Sequence, residues 1–133
     1  MAGDDVILRV NPSTMAAPGG HYSHVVVHAG LAYVSGQLPI APEGRLPSDS
    51  SFEVQARQVL ANVRLALEGA GSSLGQVLRC TVYVSDVADW PAFNQIYAEV
   101  FGEHRPARAV VPVGPLHFGY RVEMDAIGVV TSA

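Results

Sequence analysis

The sequence predicts an α+β fold, a sheet with two helices packed on one of its faces. Two observations carry that expectation. Six runs rich in β-branched and aromatic residues, bounded by Gly and Pro, read as strands, and two longer stretches among them repeat their apolar residues with helical period. In chain order the elements are β-β-β-α-β-α-β-β, and one sheet face is the natural place to bury two apolar helix stripes. No repeat, low-complexity segment or linker divides the chain, so residues 1–133 are expected to form a single domain.

Val6 to Val10 reads as the first strand and Asn11 to Gly20 as a loop. Tyr22 to His28 and Leu31 to Gln37 form a hairpin about the turn Ala29-Gly30. Pro39, Pro42, Gly44 and Pro47 then mark a long connection. Ser50 and Glu53 have capping-box spacing, and Ala56, Val59, Leu60, Val63, Leu67 and Ala70 make the stripe of the first helix, with Gly71 as its stop. Val77 to Ser85 alternates, placing Leu78, Cys80, Val82 and Val84 on one face of a strand. Asp89 and Pro91 open the second helix, whose apolar face is Phe93, Ile96, Tyr97, Val100 and Phe101, and Gly102 ends it. Ala107 to Val113 and Arg121 to Val130 are the last two strands. Pro112 cannot donate to a ladder and belongs at an edge or bulge.

The composition excludes several functions. The net charge is −4 and there is no lysine, so the chain lacks the basic footprint on which nucleic-acid binding draws. No apolar run approaches the ~20 residues that span a bilayer. The single Cys80 forbids an internal disulfide, and the acidic start Met1-Ala2-Gly3-Asp4-Asp5 does not read as a signal peptide; together they predict a cytoplasmic protein. Hydrophobic residues make up 49% and charged residues 15%, an apolar excess that points to surface covered by partner subunits or to a large core. Of the five histidines, His24 and His28 share a strand face but lie too far apart for one ion, so no metal site is expected. Cys80, on an apolar face, reads as a small buried hydrophobe.

Against this background two charged residues stand out. Arg108 follows Pro106-Ala107 beside one apolar strand, and Glu123 sits between Val122 and Met124 in another. A guanidinium is a planar fork that grips a carboxylate through two parallel hydrogen bonds, and a glutamate beside a bound acid can orient or deprotonate water. The pair points to a pocket for a small carboxylic acid at which water reacts. The bland alternatives are an ion-pair role for Arg108 and a solvent-facing one for Glu123. Asp125 has the same strand parity as Glu123 and is a second carboxylate for that face.

Seven ordered segments resemble the Rid (YjgF) family of reactive-intermediate deaminases. They are Tyr33 to Gln37 (YVSGQ), Gln55 to Val63, Ala70 to Leu74, Thr81 to Asp86, Phe93 to Phe101, Pro106-Ala107-Arg108 and Val122-Glu123, and they extend over nearly the whole chain. The resemblance implies a chorismate-mutase-like α+β fold with a mixed sheet, assembled as a homotrimer with sites in the clefts between subunits. It implies cofactor-independent hydrolysis of 2-imino acids, or their enamine tautomers, to 2-keto acids and ammonia. Carried over by position, Arg108 matches the carboxylate-binding arginine and Glu123 the glutamate that positions water. Ser35 and Gly36 match the pair whose backbone lines the pocket, while Tyr22, Trp90 and Asn94 match further pocket positions.

The chain departs from the family pattern beside that centre. His21 replaces the proline of the N-terminal loop, Val110 stands where archetypal members often carry a cysteine, and the stretch from Val111 to Tyr120 is its own. These changes keep the reaction centre and alter its walls, which fits a bulkier, apolar or aromatic 2-imino acid or a role in one pathway. The competing readings are the same pocket acting on a pathway-specific enamine or carbamate, a non-catalytic ligand-binding trimer, and a ribonuclease, the last disfavoured by the missing basic cluster.

Overall fold

Six strands form the main sheet of the computed structural model, which describes residues 5–131. They are β1 (Leu8–Val10), β2 (Val25–His28), β3 (Leu31–Gln37), β6 (Val77–Val84), β7 (Ala107–Pro112) and β8 (Val122–Val129), and their spatial order is β1-β2-β3-β8-β6-β7. All neighbours are antiparallel except β6 and β7, which are parallel. The sheet is therefore mixed. The helices are α1 (Phe52–Gly69) and α2 (Trp90–Phe101), and a small hairpin, β4 (Ile40–Ala41) with β5 (Gly44–Arg45), lies in the long connection before α1. The acidic start, Met1 to Asp4, lies outside the described residues.

Both helices cover one face. Val59, Leu60, Val63 and Leu67 of α1 and Phe93, Ile96 and Phe101 of α2 share one core with Val34, Cys80, Val82, Val84, Met124 and Ala126 of the sheet. Strand alternation sends the intervening residues, among them Tyr33, Tyr83, Glu123 and Asp125, to the face without helices. The turn between β2 and β3 is at Ala29-Gly30 as expected, with φ of 52° and 78°. Two-residue hairpin turns of that hand match the twist of the strands they join.

Several local expectations are corrected. The cap of α1 is Ser51, whose hydroxyl accepts from the Val54 N–H at 3.2 Å; Ser50 lies one residue before the cap, and its carbonyl accepts from Gln55 Nε2. Leu78 is 49% exposed, because a register shift between Val77 and Arg79 turns it off the core face. The first strand pairs only from Leu8, and the second begins at Val25, which leaves Tyr22 in the loop before it. The β4–β5 hairpin was not anticipated, since two-residue strands carry no readable period. Pro112 ends β7, the outermost strand, where a missing donor disrupts no ladder.

Candidate functional site

The structure sorts the candidate residues into two groups on opposite sides of the sheet. Arg108 pairs in register with Cys80, and Val110 with Val82, so both side chains lie on the helix side. There the Arg108 guanidinium sits over two rings of α2, with its carbon 4.6 Å from the Trp90 centroid and 4.7 Å from that of Tyr97, and Nη1 donates to Asn94 Oδ1 at 3.1 Å. It makes no ion pair among the described residues. A cation fixed by two aromatic faces and one amide keeps its remaining donors for an anion from outside. Arg108, Trp90 and Asn94 thus meet at the β7 edge, with the half-buried Val110 on the same face. Tyr97, read from sequence only as a core residue, completes the clamp.

Glu123 pairs with Tyr83 and belongs to the other face. Its carboxylate fills the space that a side chain on Gly36 would occupy, so that a methyl there would collide with Oε2. Ser35 and Gly36 lie in the irregular part of β3, between the partners of Ala126 and Met124. Ser35 is tied down by its own bonds, Oγ donating to Ser23 O at 2.6 Å and its N–H to His24 O at 2.9 Å. Asp125 shares this face and accepts from the Thr81 N–H at 3.2 Å and from Tyr83 Oη at 3.1 Å, so it is a fixed acceptor in the wall. Gly36, Glu123 and Asp125 line a cavity of about 320 Å³ together with Tyr83 and Val113 to Leu116. Partial burial pushes the Glu123 carboxyl above its ordinary value; His117 opposes the shift and Asp125 adds to it.

Arg108 and Glu123 are therefore not brought together within one chain. Tyr22 stands apart from both, 48% exposed, in the wall of a second cavity of about 510 Å³ that shares Gly36 with the Glu123 cavity. His117, Phe118 and Arg45 line that second cavity too, and sequence reasoning assigned none of them a role. Arg45 belongs to the unanticipated β4–β5 hairpin, and Phe118 to the stretch that departs from the family pattern, which was the one available signal.

No group of three His, Cys, Asp or Glu side chains among the described residues is arranged to hold a metal ion. The His24 ring is occupied, with Nε2 donating to Ala16 O at 2.8 Å and Nδ1 accepting from Gln37 at 3.2 Å. Cys80 is buried and its thiol is pushed up to about 11, chiefly by burial, so it is not a nucleophile at neutral pH. No helix among the described residues is long and apolar enough to cross a membrane.

Comparison with known proteins places the chain in a family. The Endoribonuclease L-PSP family model matches residues 13–130. A RutC family protein of Pyrococcus horikoshii is 39% identical over 110 residues, 83% of this chain and 87% of that protein. TdcF of Escherichia coli, named as a candidate reactive intermediate deaminase, is 35% identical over 122 residues, 87% of this chain and 93% of its own. The crystal structure of E. coli TdcF with bound serine matches with a TM-score of 0.87 at 30% identity, covering 93% of this chain and 99% of that one.

Proposed function

Because the chain belongs to the Endoribonuclease L-PSP (Rid) family, we propose that it hydrolyses reactive 2-imino acids, and their enamine tautomers, to 2-keto acids and ammonia. The observation that carries this reading is the pair of prepared groups. Arg108 is held against Trp90 and Tyr97 without a carboxylate partner among the described residues, and Glu123 is half-buried against Gly36 in the wall of a cavity. Their placement on opposite sheet faces favours a site completed by a second copy of the chain, with Arg108 of one subunit and Glu123 of its neighbour closing on one substrate. A homotrimer supplies three such clefts, and β7, an edge strand carrying Arg108, is placed to meet a neighbour.

The chemistry asks little of the protein beyond position. Arg108 holds the substrate carboxylate through two parallel hydrogen bonds. Glu123 takes a proton from water as the oxygen attacks the carbon of the protonated C=N bond, giving a carbinolamine. The proton then passes to the nitrogen, the C–N bond breaks, and the hydroxyl loses its proton as the keto group forms. Water and iminium become 2-keto acid and ammonium, with nothing oxidised or reduced. Holding both reactants accounts for most of such a rate gain. Added to an amino-acid oxidase that generates imines, the protein is expected to speed the release of keto acid and ammonia. An unchanged rate with every 2-imino acid tried rejects the proposal, and carboxylate binding without turnover replaces it with a non-catalytic role.

The raised pKa of Glu123 sets the pH dependence. The base must be ionised, so the rate is expected to fall on acidification at a pH above the ordinary glutamate range. The stability effect has the opposite sign. A carboxyl whose pKa is raised on folding favours the folded state fully below its unfolded pKa, and this contribution is lost as pH rises through the folded value. Glu123→Gln removes an ionised group that folding disfavours. It is expected to raise Tm at neutral pH and to leave it unchanged near pH ~3, below the unperturbed glutamate value. Thermal melts at the two pH values check this.

A further inference from the structure

The second cavity is far larger than the smallest imino acids require, and its walls have a consistent chemistry. It encloses about 510 Å³, within the range of about 300–1,000 Å³ that buries most of a drug-sized ligand. Met15, Leu38 and Ile40 are among its apolar walls. Two of its polar side chains, His24 and Asn62, are already engaged within the protein. Beyond the two bonds of the His24 ring, Asn62 Nδ2 donates to Leu38 O at 3.0 Å and to Ile40 O at 2.8 Å, and its Oδ1 accepts from Gln58. His24 and Asn62 therefore offer a ligand shape, and the charged group left in the wall is Arg45. The cavity is contiguous with the reaction centre, because Gly36 lines both spaces and His117 is near enough to Glu123 to act on its charge.

Phe118 gives the strongest sign that this wall is built for recognition. It adopts φ 61° and ψ 15°, a left-handed conformation that is strained for any residue with a Cβ, yet it is 46% exposed and so gains little burial in return. The strained backbone delivers its ring to the cavity wall, where the Arg45 guanidinium lies 3.7 Å above the centroid. Tyr22 stands in the same wall, edge-on to His24 with ring centroids 6.0 Å apart. Aromatic rings and a stacked guanidinium suit a flat, π-bearing group.

We propose that this cavity is the side-chain pocket for 2-imino acids bearing a large aromatic side chain, with Phe118 and Arg45 as the residues that determine specificity. The proposal rests on the imine-hydrolysis reading, and the test separates the two. Imines are generated in situ by an amino-acid oxidase from phenylalanine and from alanine, and keto-acid release is followed with the wild-type protein and two variants. Gly19 lines the cavity, its φ is ordinary, and nothing lies within 4 Å of a Cβ placed there, so Gly19→Phe fills the space without strain. Gly19→Phe is expected to lose about tenfold or more with the phenylalanine imine and to leave the alanine imine unchanged, as shape exclusion in an apolar pocket dictates. Phe118→Gly is expected to lose a similar factor, about tenfold, on the aromatic substrate alone, without lowering Tm, because a glycine accepts that backbone freely. A purely structural Phe118 would instead lower Tm and affect both substrates. Turnover of the alanine imine without the phenylalanine imine, or equal losses on both in Gly19→Phe, overturns the pocket assignment. Turnover of neither overturns the hydrolase reading and this one with it.

Discussion

Arg108→Ala and Glu123→Gln, each expected to lose about 10²–10³ in rate, should together recover about a quarter of the wild-type rate when mixed as unfolded chains and refolded. The expectation follows from the sheet. Arg108 lies with Cys80 on the helix side, and Glu123 lies with Tyr83 on the other, so one small acid cannot touch both within a chain. In a closed ring each cleft takes its arginine from one subunit and its glutamate from the next. A cleft is intact when the first subunit is the Glu123→Gln chain and the second the Arg108→Ala chain, a chance of about one half for each in an equal random mixture. A site contained in one chain recovers nothing, because every chain then lacks one of the two groups. Refolding the double variant with wild type gives a second measure. The shared cleft leaves about a quarter of the all-wild-type rate and the self-contained site about half. Sedimentation of the mixtures establishes that the chains assemble.

This arrangement also marks what the sequence could not convey. The periods of α1 and α2 and the alternation along β6 and β8 are local, and they identified the elements, the core face and the parity that puts Glu123 beside Asp125. Which strands pair, and in which register, depends on contacts distant in sequence. Arg108 and Glu123 are separated by one strand-to-strand connection and look like neighbours, yet β6 lies between β7 and β8, and the registers set the two side chains on opposite faces. Leu78 departs from its expected face for a similar reason, since a one-residue irregularity reverses a side chain without altering the alternation around it. Tyr22 reads as strand in the sequence because its aromatic ring favours strands, whereas β2 begins only at Val25. The clamp from Tyr97 and the wall from Arg45 and Phe118 arise from long-range packing, and no local pattern announces them. Gly36 was legible in kind. A glycine inside a strand signals a bulge or a close approach, and both occur there.

Gly36→Ala is the sharpest test of that close approach, with an expected loss of activity of about 10²-fold and a stability change below ~1 kcal/mol. The asymmetry comes from what the new methyl meets. Its collision is with the Glu123 carboxylate, the far end of a flexible side chain that can swing aside, and the Gly36 backbone has no positive φ that alanine would strain. Folding therefore tolerates the change. Catalysis does not, because the carboxylate must leave the position from which it aims water, and displacements near 1 Å cost factors of this size. A carboxylate pushed out of its crevice is also better solvated, so its pKa falls toward the ordinary value and the acid limb of the remaining activity moves to lower pH. Gly128→Ala supplies the contrast. A methyl there meets Ser72 Oγ at 2.8 Å and Leu67 Cδ2 at 2.9 Å, inside packed structure on the opposite face of β8 from Glu123. That variant is expected to lose about 1–3 kcal/mol of stability, as overpacked sites do, with the rate per folded molecule unchanged. Equal losses of rate and stability in both variants would mean that Gly36 serves only packing, and Glu123 would then lose its claim to direct the water.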